Sequence, residues 1–154
     1  MGLFSPNESK SPSVGYADAG YLSDPHKERS QTGYVFTYSD TAISWRSVKQ
    51  SMVAFSSNQS EILASYEASR ECIWLRFMIQ HIRESRRLSS TKDIPTTLFE
   101  DNTAYIAQIL GGYIKGDKIK RISSKFFYTH ELHKRGNVDI QQIRSSGNLG
   151  RFIH

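Results

Sequence analysis

The chain has 154 residues, of which 38% are hydrophobic and 23% charged, with a net charge of +5; these are the proportions of one globular domain large enough to bury a core without staples. Its single cysteine, Cys72, excludes an intrachain disulfide and a four-cysteine zinc site, and no apolar run approaches the ~20 residues of a membrane span. A pI near 9.4 fits a polyanionic partner without proving one.

Residues 5–13 are polar and carry Pro6 and Pro12, which predicts a flexible tail over 1–13. Met1–Lys10 lacks the basic-then-apolar order of a secretory signal, and Pro6 stands where a myristoylation pattern needs Ser or Thr. An intracellular, cytoplasmic location is expected. Val14–Tyr21 reads as a short strand with Asp18 inside it, and Asp24-Pro25-His26 marks a turn. Thr32–Tyr38 and Thr41–Arg46 are rich in aromatic and β-branched residues and read as two further strands. Their short connections favour an antiparallel series.

The clearest helix covers Asn58–Glu84. Asn58 and Glu61 have the spacing of a capping box. One stripe runs through Glu61, Ser65, Ala68, Cys72, Leu75, Ile79 and Ile82 at helical period. Its small residues let the helix lie close to a sheet, with Cys72 packed between them. Glu61 then heads a buried face, which is costly unless the acid is paired; taken locally, a capping role at the helix start is the simpler reading. Thr96–Glu100 is a short strand ending at Asp101. Asn102–Leu110 is a short helix stopped by Gly111-Gly112. Tyr113–Ile122 reads as a basic loop, Ser123–Arg135 as another helix, and Val138–Ile143 as a last strand. Ser145–His154 has turn composition. The order predicts a mixed α/β sheet.

Asp18, Glu61 and Asp101 stand in a strand, at a helix start and at a strand end. Three converging carboxylates repel one another until divalent cations neutralise them, and hard oxygen ligands suit Mg²⁺. With 15 acidic residues in the chain, spacing alone leaves scattered surface carboxylates as the simpler account.

The neighbouring residues change that balance. Tyr16-Ala17-Asp18-Ala19, Gly33-Tyr34, Ile43-Ser44-Trp45 and Lys49-Gln50 come in order along the chain. Ser56-Ser57-Asn58-Gln59-Ser60-Glu61, Glu71-Cys72-Ile73-Trp74-Leu75-Arg76, Glu100-Asp101-Asn102 and Lys118-Ile119-Lys120-Arg121-Ile122 follow. Together they resemble the RNase H domain of copia-type retrotransposon Pol polyproteins, most closely those of plants. The resemblance runs from about Gly15 to Leu149, so the domain is expected over 14–149 with a divergent end at 150–154. It implies an RNase H-like five-stranded mixed sheet flanked by helices, with the last helix truncated. It implies an endonuclease that hydrolyses RNA in RNA–DNA hybrids by a two-metal mechanism, using Mg²⁺ or Mn²⁺. It also implies a reverse transcriptase domain as neighbour in the parent polyprotein and no membrane partner. Of the family's four carboxylates, three carry over to Asp18, Glu61 and Asp101, which makes Glu61 a ligand and not merely a cap. The fourth does not: Asn148-Leu149 matches, but Arg151 occupies the place of an Asp. Impaired catalysis is therefore expected, and the alternative is an inactive remnant that at most binds nucleic acid. Gly2-Leu3-Phe4 is similar to a stretch inside the polyprotein, which implies that Met1 is an internal methionine.

Lys115, Lys118, Lys120 and Arg121 form a basic cluster suited to phosphate contact, and Arg83, Arg86 and Arg87 form another. A solvated basic face is the plainer alternative for each. Asn102 either touches substrate or caps its helix. Trp45 and Tyr113 could stack on a sugar or base, but for Trp45 a place in the core is the expectation. His130 and His133 have a possible metal spacing but no third ligand, and read as an ordinary polar face.

Overall fold

The computed structural model describes residues 12–20, 30–114 and 120–152. The three-strand series forms as β1 (Ser13–Gly20), β2 (Gln31–Tyr38) and β3 (Thr41–Lys49). β3 runs past the expected end at Arg46 because β2 supplies partners as far as Gln31, which faces Lys49. Ser39 and Asp40 link β2 to β3 with φ of 49° and 67°, the left-handed pair that a two-residue hairpin turn requires. β4 (Thr96–Glu100) and β5 (Val138–Gln142) complete a sheet of order β3-β2-β1-β4-β5. The β1–β2 and β2–β3 pairs are antiparallel, while β1–β4 and β4–β5 are parallel. Parallel neighbours need crossovers. One is α1 (Ser57–Ser85); the other contains α2 (Thr103–Gly111) and α3 (Lys120–Lys134). The expected RNase H-like mixed sheet is thus present.

Register decides which side chains share a face. Gly15 stands beside Leu98, and Leu98 beside Ile140. Alternation then places Ala17 and Glu100 on that same face. All three helices pack there. One core joins Ala17, Phe36, Leu98 and Ile140 to Ile62, Ala68 and Cys72 of α1, Tyr105 and Ile109 of α2, and Ile122 and Phe126 of α3. The opposite face carries Tyr16 stacked on Phe99, with ring centroids 5.4 Å apart. Among the described residues no helix covers it. Trp45 lies on that open face, beside Val35 on the edge strand. It is 65% exposed, which corrects the expectation of a core tryptophan.

The apolar stripe of α1 is buried from Glu61 to Leu75, but Ile82 is exposed. Length explains this. A helix of 29 residues is roughly 43 Å long, whereas the eight residues of β1 span roughly 26 Å; the helix overruns the sheet. Its start also differs from expectation. Ser56 is the cap, its hydroxyl accepting from the Gln59 amide at 3.1 Å. Asn58 lies inside the helix and exchanges hydrogen bonds with the Gln108 side chain of α2, at 2.8 and 3.3 Å. α2 begins at its expected cap: the Asn102 side chain accepts from the Tyr105 amide at 2.9 Å. α3 begins at Lys120, three residues before the expected Ser123, so Lys120 and Arg121 form a helical first turn and not a loop. The chain closes in two 3-10 turns, Ser145–Gly147 and Leu149–Phe152. Of the expected tail, Pro12 and Ser13 are described, and Ser13 already belongs to β1. The expected turn at Asp24-Pro25-His26 lies outside the described residues.

Gly15 exposes the tightness of the packing. A Cβ there would sit 2.4 Å from the Phe36 ring and 3.0 Å from Leu98. Gly15→Ala should therefore destabilise the fold by about 1–3 kcal/mol, the usual cost of overpacking. Urea denaturation checks this; an unchanged midpoint would contradict the packing described.

A candidate metal centre

Parallel pairing of β1 and β4 aligns Tyr16 with Phe99. Two residues further on, Asp18 and Asp101 stand level at the ends of neighbouring strands. Glu61 comes down on them from the second turn of α1. Carboxylate oxygens of Asp18, Glu61 and Asp101 all lie within 4.8 Å of one another. The three acids singled out from sequence are thus brought together. Two full charges at that distance repel by roughly 3 kcal/mol at an effective dielectric constant of about 20. Three such pairs are too much for a fold of ordinary stability to carry without proton uptake or a bound cation.

The protonation pattern follows. Glu61 is 6% exposed. Burial, then the charges of Asp18 and Asp101, raise its pKa to about 8; the Ala19 backbone amide and the Glu100 side chain oppose the rise. Burial and then Asp18 raise Asp101 above the usual carboxylate range, against hydrogen bonding from Ser145 and Asn148. Glu61 Oε2 is buried without a hydrogen-bond partner among the described residues. An orphaned carboxylate oxygen facing two other carboxylates fits a hard divalent cation, and the all-oxygen donor set suits Mg²⁺ or Mn²⁺.

Sequence reading missed Glu100. It is fully buried beneath the three acids, and the Ser65 hydroxyl of α1 donates to its Oε1. Burial, followed by the charge of Glu61, pushes its carboxyl well above the usual range. The available signal was alternation: Thr96, Leu98 and Glu100 lie on one face, so the acid continues a buried row.

Asn148 was legible only as part of a motif. It is fully buried, and its Nδ2 donates to the Ala17 carbonyl at 2.9 Å while its Oδ1 accepts from the Gly150 amide at 3.0 Å. With Ser145 it also reaches Asp101. One side chain therefore connects the backbone before Asp18 to the carboxylate of β4. Gly150 packs so closely that a Cβ would meet the Asp18 nitrogen and the Gly33 oxygen, both at 3.1 Å. Arg151 follows in that same turn.

The other candidates divide. Lys120 and Arg121 are exposed on the first turn of α3, while Lys115 and Lys118 lie outside the described residues. Asn102 caps α2, next to Asp101. The Arg83 cluster is 22 residues down α1 from Glu61, roughly 33 Å away, and Arg83 is engaged with the Ser89 carbonyl and the Tyr38 hydroxyl. It cannot serve the carboxylate site. His130 donates to the Ile109 carbonyl at 2.8 Å, and His133 accepts from the Ile140 amide at 3.4 Å. Both act as structural polar groups, as expected.

Known proteins resemble this chain in sequence and in fold. The retrovirus-related Pol polyprotein from the Nicotiana tabacum transposon TNT 1-94 is 43% identical over 68 residues, covering 44% of this chain and 5% of the polyprotein. Secreted RxLR effector protein 161 of Plasmopara viticola is 45% identical over 62 residues, covering 40% of this chain and 44% of the effector. The chain thus matches less than half the length of either relative. No protein-family model matches it. Its fold is that of RNase H. LC11-RNase H1, isolated from compost by a metagenomic approach, superposes with a TM-score of 0.60 at 17% identity, over 93% of this chain and 92% of that one. The same protein in complex with an RNA/DNA hybrid gives 0.59 at 17% identity, over 89% and 88%. A foamy viral protease-reverse transcriptase, also in complex with an RNA/DNA hybrid, gives 0.57 at 16% identity, over 90% of this chain and 18% of that one.

Two outcomes test the site's architecture. A carboxyl whose folded pKa is raised holds its proton more tightly in the fold, so it costs stability once pH exceeds its unfolded value. That cost begins above about 4.3 and grows until the raised folded pKa is passed. Glu100→Gln removes it and retains an acceptor for Ser65. Without metal, the variant should melt higher than the parent at pH 7 and higher still at pH 9, but not at pH 4. A constant difference across that range would contradict the burial of an ionisable Glu100. Asn148→Ala leaves buried polar groups unmatched and should cost about 1–3 kcal/mol in chemical denaturation; wild-type stability would show that the link between strands is idle.

Proposed function

We propose, from the premise of an RNase H fold and a sequence resembling the RNase H domain of a Pol polyprotein, that this chain is a divalent-cation-dependent endonuclease for the RNA strand of RNA–DNA hybrids. The observation that carries this reading is the convergence of Asp18, Glu61 and Asp101 within 4.8 Å at the strand ends of that fold. Asp18, Glu61 and Asp101 would hold Mg²⁺ or Mn²⁺. A pair of such cations, when bound, supplies charge neutralisation, an activated water and stabilisation of the leaving oxygen. The chain's own residues do the rest. Glu61 gives up the proton that its pKa of about 8 retains in the cation-free state. Ser145 and Asn148 orient Asp101, and Asn148 fixes the strand that carries Asp18. Lys120 and Arg121 contact the phosphate backbone, with Lys115 and Lys118 of the same basic stretch. Asn102, already spent in part as a helix cap, reaches the nucleotide beside Asp101. In the parent polyprotein the neighbouring domain would be a reverse transcriptase, as in the foamy viral chain.

A second reading is an inactive remnant that still binds nucleic acid. It is favoured by Arg151, which follows the glycine packed against the Asp18 backbone. An arginine where the family has an aspartate supplies no oxygen ligand for Mg²⁺ or Mn²⁺.

Incubation of the purified chain with a labelled hybrid and Mn²⁺ separates the two. Cleavage of the RNA strand is expected, and Asp18→Asn should lower it by more than the ~10–100-fold that changes outside the ligand shell cost at metal sites. Cleavage no greater than that of the Asp18→Asn control would leave the inactive reading. Arg151→Asp should raise the rate if Arg151 is the defect; an unchanged rate would clear it.

A further inference from the structure

Helix α1 has two faces. Glu61, Ser65, Ala68, Cys72 and Leu75 are buried against the sheet. Half a turn round the helix, at about 100° per residue, Arg70, Trp74, Phe77, His81 and Glu84 form a second row, and all five are exposed. Their spacing alternates between four residues and three, the rhythm of a seam that packs on another helix. Trp74 is 54% and Phe77 72% exposed, with Met78 beside them. Single exposed apolar residues are ordinary. A tryptophan and a phenylalanine at the centre of a seam, pointing straight away from the sheet, are not.

The charges say what fits there. Arg70 lies seven residues before Phe77 and Glu84 seven after it, each roughly 10 Å away along the helix axis. Neither has an ion-pair partner among the described residues. Arg70 rests near the Tyr66 ring, 5.7 Å from its centroid, and Glu84 accepts from the Gln80 side chain at 2.9 Å. The seam is therefore its own complement. Laid antiparallel on a second copy about a two-fold axis at Phe77, it sets Phe77 against Phe77. Trp74 comes level with the other copy's Gln80, between its Phe77 and His81. Arg70 meets the other copy's Glu84, and two-fold symmetry makes this contact twice. A parallel arrangement would instead set Arg70 on Arg70 and Glu84 on Glu84, which repel. The shallow crossing of about 20° that such seams take keeps the outer residues within reach of one another.

We propose that α1 carries a homodimer interface, on which a second copy of this chain docks antiparallel along the row Arg70, Trp74, Phe77, His81 and Glu84. The proposal is independent of the nuclease reading. Phe77 is 16 residues from Glu61, roughly 24 Å along the helix, so pairing leaves both carboxylate clusters open. One helix face per copy lies at the small end of specific interfaces, below about 1,200 Å² in total. A dissociation constant in the micromolar range is expected.

Sedimentation equilibrium of the full chain from about 1 to 200 µM brackets that range. The parent, 17.6 kDa as one copy, should approach twice that mass. Phe77→Glu should stay at one copy across the series, with circular dichroism confirming that the helices are intact. Arg70→Glu alone and Glu84→Arg alone should each weaken pairing by about tenfold, because the axis counts each contact twice and reversal turns attraction into repulsion. Arg70→Glu combined with Glu84→Arg should restore it. The two positions are roughly 21 Å apart along one helix, so that rescue cannot come from inside one copy. A parent that stays at one copy throughout overturns the proposal and leaves the seam to a different chain. Pairing that survives Phe77→Glu, or that the double exchange does not restore, also overturns it. So does association that grows without limit, which marks non-specific apolar contact.

Discussion

Mutual repulsion among carboxylates is the constraint on which this structure turns. Asp18, Glu61 and Asp101 are held within 4.8 Å, and Glu100 lies buried just beneath. A fold selected only for stability would not assemble four acids at one end of its sheet, because each buried charge raises the pKa of the next and penalises the compact state. The penalty is visible in Glu61 and Glu100, both of which retain protons that exposed carboxyls lose. In the absence of a cation, the protons held by Glu61 and Glu100 lower that penalty.

The rest of the fold holds that arrangement. Parallel pairing brings the ends of β1 and β4 level, so two acids far apart in sequence become neighbours. Ser65, Ala68 and Cys72 are small enough to let α1 lie close over the sheet, which delivers Glu61 from above. Ser65 also satisfies one oxygen of Glu100. The C-terminal turns then close the end. Asn148 reaches back to Ala17, and Gly150, having no side chain, lets the backbone lie against Asp18. Each of these contacts acts on position and not on charge.

Much of this was legible in the sequence. Strand composition, alternation and turn signals found all five strands; helical period found the long helix, and glycine stops marked the ends of the two shorter ones. The errors lie where tertiary partners override local signals. β3 extends because Gln31 offers a partner for Lys49. Asn58 forgoes capping because Gln108 is within reach. Trp45 is exposed because its strand is at the edge and its face carries no helix. The three acids were visible as residues at strand and helix ends, but only their ordered neighbours distinguished them from the chain's other carboxylates. Glu100 hid behind Asp101, where an acid looks like a polar strand end. Asn148 could not be read locally, since its partner Ala17 is 131 residues away.

The central claim is that the acid cluster is a divalent-cation site. Calorimetric titration of Mn²⁺ into the purified chain below pH 8, repeated in buffers of different ionisation enthalpy, tests it most directly. Binding should be seen with release of a proton, because Glu61 must ionise to become a ligand, and Glu61→Gln should abolish that release. Absence of Mn²⁺ binding, or binding to wild type and Glu61→Gln with equal affinity and no proton release, would contradict the account.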